Sequence, residues 1–181
     1  MITIGINPIL TIGPISVRWY GILVALGVAT VILWGWREMK RVGKLPDPSD
    51  APVLIIAILS GLGMAKLFHV IDRWDYYSQH PMQVFSGAGL AIYGAVVGAT
   101  LAFFIYSRVR HSEFAFFADL VAPGIILGQA IGRIGCTING CCYGKPAPDW
   151  LPWSVVYTHP NSYAPLGVPL HPTQPYEIVY N

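Results

Sequence analysis

Four apolar stretches, each about as long as a helix that crosses the roughly 30 Å hydrocarbon core of a bilayer, divide the chain. Trp19 to Trp36 runs eighteen residues without a charge and ends in Arg37, Lys40, Arg41 and Lys44. Pro46, Asp47, Pro48 and Ser49 break that helix, and Asp50 followed by Pro52 marks the start of a second, Ala51 to Ile71. The second stretch holds Lys66 and His69, with Gly61, Gly63 and Ala65 giving it a surface that a neighbouring backbone can approach closely. Gly87 to Ser107 is the third, closed by Arg108, Arg110 and His111, and the fourth opens at Ser112 and Glu113 and runs to about Arg133. The predicted fold is all-α, a polytopic transmembrane bundle of four spans plus the start of a fifth, forming a single integral membrane domain over 1–181.

The connecting segments orient it. Six basic residues fall in the segments after the first and third spans (Arg37, Lys40, Arg41, Lys44, Arg108, Arg110), against Arg73 and Lys145 in the loops at 72–86 and 139–170. The positive-inside rule therefore places the N-terminus and those two loops outside the cytoplasm. The first eighteen residues, punctuated by Gly5, Pro8, Gly13 and Pro14, read as a short turn-rich interfacial segment, and the six prolines between Pro146 and Pro169 make the Asn139 to Leu170 stretch a turn-rich outer loop. No cleavable signal peptide is visible, so the first span is expected to stay in the mature protein. The chain stops four residues past Glu177, which leaves a fifth span only begun and implies truncation at the C-terminal end.

Composition narrows the class. Of 181 residues, 54% are hydrophobic and 11% charged, against about 25% charged in an ordinary soluble domain. A mean hydropathy of +0.53 excludes a disordered chain. A net charge of +2 leaves no basic footprint for nucleic acid. The three cysteines, Cys136, Cys141 and Cys142, lie in one seven-residue window. That is no disulfide framework, and three ligands at this spacing fall short of the four, paired as Cys-x2-4-Cys, of a structural zinc site. No metal and no cofactor are expected.

Arg133 carries the sharpest chemical signal. It stands in Gly128-Gln129-Ala130-Ile131-Gly132-Arg133-Ile134-Gly135, near the outer end of an apolar helix, where a guanidinium costs a few kcal/mol unless solvated or paired. Such an arginine can snorkel to lipid headgroups. Here the flanking glycines strip away bulk, and a planar fork beside exposed backbone suits a phosphate. On a helix Asp119, Gln129 and Arg133 share a face, although Asp119 is better explained as neutralising Arg108 or Arg110 than as a catalytic carboxylate. Lys66 and His69 lie toward the outer leaflet, where they add positive potential or reach the interface. Tyr93, followed by Gly94, has room to approach a ligand or a partner helix.

Three stretches in this order and spacing resemble the bacterial prolipoprotein diacylglyceryl transferases: residues 12–21 (Ile-Gly-Pro-Ile-Ser-Val-Arg-Trp-Tyr-Gly), Gly132 to Gly135 continuing through Asn139 to Gly144, and His171-Pro172-Thr173-Gln174-Pro175-Tyr176-Glu177. Weaker similarity at 65–70 and 90–95 extends the resemblance over nearly the whole chain, corresponding to the N-terminal two-thirds of the family's usual length. Cys136, Thr137 and Cys141 stand where the signature usually has Asn, Phe and Glu, Tyr93 where many members have His, and Lys66 where Arg is common. The resemblance implies a cytoplasmic-membrane enzyme that moves the diacylglyceryl group of phosphatidylglycerol onto the lipobox cysteine thiol of a preprolipoprotein, leaving a thioether and releasing glycerol phosphate. It implies Arg133 as the phosphate-holding catalytic residue and Tyr93 as the candidate for orienting the thiol's proton. Tyr20, Asn139, Gly144, His171 and Lys66 are then expected to bind the lipid substrate, with no cofactor. A polar stripe in a helical bundle equally describes a lipid-binding or lipid-transporting protein, and the altered signature also fits a paralogue with another acceptor.

Overall fold

The structure, a computed structural model, describes residues 1–44, 52–85, 89 and 91–180. Among the described residues four helices are long and apolar enough to cross a membrane: α1 (Trp19–Arg41), α2 (Pro52–Asp72), α4 (Ile92–Val109) and α5 (Phe114–Asn139). The expected polytopic helical fold is therefore present, and the described residues form no closed sheet. Between α2 and α4 lies the short α3 (Trp74–Gln79), followed by a 3₁₀ turn at Pro81–Phe85. The break at 46–50 and the expected start of the third span at Gly87 fall outside the described residues. The boundaries of the last span do shift: α5 begins at Phe114 and continues two turns beyond Arg133, to Asn139, despite Pro123 within it. Arg133 is thus inside the helix and not at its end.

The chain forms two compact units, residues 43–118 and residues 1–42 with 119–181. In the first, α2 packs on α4 through small residues. A Cβ added to Gly94 would sit 2.3 Å from the Met64 carbonyl oxygen, and one on Gly98 2.4 Å from that of Ser60. Backbones this close gain dispersion contacts that bulkier side chains would prevent. Ser60 Oγ donates to the Gly98 carbonyl at 2.9 Å across the same seam. A left-handed His111 (φ 52°) turns the chain from α4 toward α5, and Phe103 and Phe104 pack on Phe114 there.

The second unit uses the same device between α1 and α5, where Gly27 and Gly128 face each other with a Cβ on Gly27 only 2.7 Å from the Gly128 oxygen. Trp34 Nε1 donates to the Leu120 carbonyl at 3.2 Å. The N-terminal and proline-rich segments of this unit are more ordered than turn-rich sequence suggests. β2 (Ile9–Ile12) and β3 (Ile15–Arg18) form an antiparallel hairpin that feeds directly into α1. β1 (Ile2–Ile4) pairs in parallel with β4 (Val155–Tyr157). Around β4 the proline-rich stretch builds a small core of Val155, Tyr157, Ala164 and Leu170, with Ile4 and Val168 against it. Leu170 exchanges backbone hydrogen bonds with Val155, which delivers the chain to α6 (Thr173–Tyr180).

Candidate active site

The last three turns of α5, the residues after it and α6 meet in one place. Gly140, at φ +69°, ends α5 in the left-handed conformation that favours glycine. Cys142 is left-handed as well (φ 58°), unusual for a residue with a Cβ. These two residues fold 140–144 back on the helix, and Cys141 N–H donates to the Cys136 carbonyl at 3.2 Å.

α6 holds that fold from one face. Thr173 Oγ1 donates to the Cys142 carbonyl at 2.5 Å, and the buried Gln174 donates through Nε2 to the Cys141 carbonyl at 2.7 Å. One turn further along the same face, Glu177 forms an ion pair with Arg133. The opposite face, Pro175, Tyr176 and Val179, borders an apolar cleft of about 430 Å³ with Trp153 and Val155, away from the charged residues. The His171 to Glu177 stretch, open from sequence to a plain capping and turn reading, therefore clamps the segment that follows Arg133.

Most of the expected substrate-binding residues converge here. Gly144 lies against His171, where an added Cβ would come within 2.8 Å of the His171 Cβ and 2.9 Å of its carbonyl oxygen. The Gly144 N–H donates to that same oxygen at 3.0 Å. Asn139, only 4% exposed, accepts a hydrogen bond from Arg18 Nη1 at 2.8 Å and donates through Nδ2 to Cys141 Sγ at 3.5 Å. Tyr20 packs over Gly135, whose missing side chain leaves room for the ring. Arg133 itself has 22% of its side chain exposed.

Tyr93 and Lys66 belong to the other unit. Tyr93 is 79% exposed in the first turn of α4, and Gly94 beside it serves the packing on α2 and not the phenol. Lys66 Nζ donates to the Tyr77 hydroxyl at 3.4 Å and lies 5.2 Å from that ring's centroid.

Three features of the site escape the sequence reading. Arg18 brings a second guanidinium to this site, bonded to Asn139 and stacked 4.3 Å over the Tyr163 ring. Its position immediately before the first span, inside a motif stretch, was the available signal. Glu177 is the carboxylate ion-paired with Arg133. The three cysteines, spaced wrongly for a zinc finger, have Sγ atoms that all lie within 4.8 Å of one another, and none is in a disulfide. Burial raises the Cys142 thiol above its ordinary pKa, whereas the Cys136 thiol, as hydrogen-bond donor, holds Cys141 below its own. Under this floor, burial pushes the Tyr157 phenol up to about 12, so it serves the Gln174 contact as a neutral hydroxyl.

Residues 7–181 match the family model described as prolipoprotein diacylglyceryl transferase. A protein of Dehalococcoides mccartyi named phosphatidylglycerol–prolipoprotein diacylglyceryl transferase is 47% identical over 99% of this chain and 69% of its own length. Proteins of the same name from Lysinibacillus sphaericus and Clostridioides difficile are 36% and 38% identical, over 100% and 94% of this chain and 68% and 65% of their own lengths. With a family model covering nearly every residue and relatives this similar along the whole chain, the chain belongs to the prolipoprotein diacylglyceryl transferase family.

Proposed function

We propose that this protein transfers the diacylglyceryl group of phosphatidylglycerol to the lipobox cysteine of preprolipoproteins at the outer face of the bacterial cytoplasmic membrane. The observation that carries this reading is the Arg133 guanidinium, held in the apolar helix by a carboxylate from α6 and surrounded by glycines and the Asn139 to Gly144 fold.

The reaction is a displacement at carbon. The acceptor sulfur attacks the terminal glycerol carbon, and the carbon–oxygen bond to the phosphate breaks with its electron pair going to that oxygen. Negative charge grows on the leaving phosphate, so the group that accelerates the step is a cation already in place around it. Arg133 supplies it. Its planar fork can bind two phosphate oxygens at once, which the point charge of a lysine cannot. Glu177 keeps the fork oriented and neutralised until the lipid arrives, and then yields it to the phosphate. Gly144 and His171 leave a close, polar backbone edge for the glycerol headgroup, with Tyr20 and Asn139 bordering it. Tyr93 orients the proton leaving the thiol, and Lys66 adds positive potential for the anionic lipid.

The N-terminus and residues 139–170 face outward in this reading. A reporter active only outside the cytoplasm should work when inserted at Asn161 and be silent at Lys44; the reverse pattern would invert the topology. The function itself is tested with full-length protein in phosphatidylglycerol vesicles. Glycerol phosphate should appear only when a lipobox peptide is added, together with a thioether on its cysteine. Lipid movement between leaflets without consumption of phosphatidylglycerol would establish a transporter in its place.

A further inference from the structure

Two left-handed residues, one on either side of Cys141, bring the three cysteines together just past the end of α5. Gly140 and Cys142 reverse the chain, and the Cys141 N–H to Cys136 carbonyl bond fixes the turn. Thr173 and Gln174 hold the carbonyls of Cys142 and Cys141 from the side, and Asn139 Nδ2 points at Cys141 Sγ. Supporting hydrogen bonds of this kind orient metal ligands. The three Sγ atoms lie within 4.8 Å of one another. A tetrahedral zinc with bonds of about 2.3 Å to sulfur separates its sulfurs by roughly 3.8 Å, within reach of small side-chain rotations. No fourth Cys, His, Asp or Glu joins the group among the described residues.

A zinc held by three protein ligands and open at the fourth is the pattern of a reactive site, whereas structural sites are closed by four. The open position matters here because the proposed acceptor is a thiol. Thiolates are strong ligands for zinc, and a thiol bound to the dication loses its proton at neutral pH. Cys136 lies one helical turn beyond Arg133 on α5, and Cys141 and Cys142 cluster with it. A sulfur bound at the open position would therefore stand next to the group that holds the leaving phosphate.

We infer that Cys136, Cys141 and Cys142 form a three-thiolate zinc site whose fourth position takes the acceptor cysteine and presents it, deprotonated, to the lipid. This rests on the diacylglyceryl transfer proposed above. When the sulfur binds the metal its proton goes to solvent, which replaces the proton-orienting role given above to Tyr93, and the sulfur lone pair then forms the bond to the glycerol carbon. The carbon–oxygen bond breaks toward the phosphate on Arg133. The thioether product is neutral and a weaker ligand than the thiolate, so it leaves the metal once formed. No oxidant or reductant is consumed.

The test uses purified full-length protein and two separate readouts. Cobalt(II) replaces zinc as a visible probe, and one equivalent should give the intense bands of tetrahedral thiolate coordination, abolished in Cys136→Ser and Cys141→Ser. A lipobox peptide should shift those bands, and the same peptide with serine for cysteine should not. Chelation of metal from the wild-type protein should slow glycerol phosphate release by about a hundredfold, the scale of a lost proton-transfer partner, with zinc restoring it. Failure to bind one equivalent of metal, bands indifferent to the peptide thiol, or full activity after chelation would each overturn the zinc site. Full activity after chelation would leave the transferase intact. A peptide-responsive cobalt site with no thioether formed under any metal condition would instead sink the transferase reading and keep the site.

Discussion

Arg133 in α5 and Lys66 in α2 are both cations set in apolar helices, but the chain surrounds them by different means. Lys66 meets Tyr77, eleven residues further on, through its hydroxyl and its ring face. Those contacts come from the next turn of structure and need no long-range organisation. Arg133 is met by Glu177 from α6, while its neighbours Asn139 and Cys141 are tied to Arg18 and Gln174. Segments from both ends of the sequence are brought to one place around it. The contact with Tyr77 draws on a segment close to Lys66 in the sequence. A cation whose surroundings are assembled from three distant segments marks where the fold's organisation is concentrated, and that is where chemistry is expected.

The largest effect should come from the arginine. Arg133→Lys keeps the charge but loses the fork, so with protein levels matched it should lose diacylglyceryl transfer nearly as fully as Arg133→Ala, about a hundredfold or ~3 kcal/mol. A snorkelling arginine would tolerate lysine. Near wild-type transfer by the lysine variant would remove Arg133 from the mechanism and erase the contrast with Lys66.

Next in size are the glycines, which separate close approach from mere flexibility. Gly144→Ala places a Cβ 2.8 Å from that of His171, and Gly94→Ala places one 2.3 Å from the Met64 oxygen. Each should cost about 1–3 kcal/mol in thermal or denaturant unfolding. Gly144→Ala should also lower activity, because it moves the headgroup edge; Gly94→Ala should act on stability alone. Gly132 and Gly63 have nothing within 4 Å of an added Cβ. Their alanine variants should be neutral or gain up to about 1 kcal/mol of helix propensity. Equal losses at all four positions would show that space is not what these glycines provide.

The four spans were legible because hydropathy and length are local properties, read without knowing what packs on what. Arg133, Asn139, Gly144 and His171 were legible through motif order, and the structure gathers them. What the sequence hid was pairing. Glu177 was visible as part of a motif, but its ion pair with Arg133 depends on the path of the intervening 140–172, which prolines described only as turns. The cysteines were hidden for the same reason. Ligand spacing rules assume the usual metal-binding loops, and two left-handed residues at 140 and 142 make a loop of another kind.

A smaller effect belongs to Gln174, 1% exposed, whose Nε2 donates to the Cys141 carbonyl and the Tyr157 hydroxyl. Gln174→Met keeps the volume and leaves both acceptors without that donor, which should cost about 1–3 kcal/mol. If the clamp positions the 140–144 fold, Gln174→Glu, which cannot donate when ionised, should match the methionine variant in activity. Full activity in both would make Gln174 a packing residue beside Tyr157 only.

The smallest effect is the one expected at Lys66, and its form matters more than its size. A lysine that contributes only positive potential for an anionic lipid helps the ground state and the transition state equally. Its loss then raises KM and leaves kcat alone. Lys66→Met should raise KM for phosphatidylglycerol by a few-fold, the scale of an exposed charge–charge contribution of up to about 1 kcal/mol, and Lys66→Arg should restore it. Added salt should shrink the difference, because it screens a partly exposed charge and leaves packing untouched. The Tyr77 contact offers a different outcome. If Lys66 serves that ring alone, Lys66→Met lowers the melting temperature with KM unchanged, since the methionine keeps much of the stem but loses the cation over the aromatic face. A fall in kcat matching that of Arg133→Lys would break the comparison altogether, placing Lys66 in the reacting site and the two cations in one role.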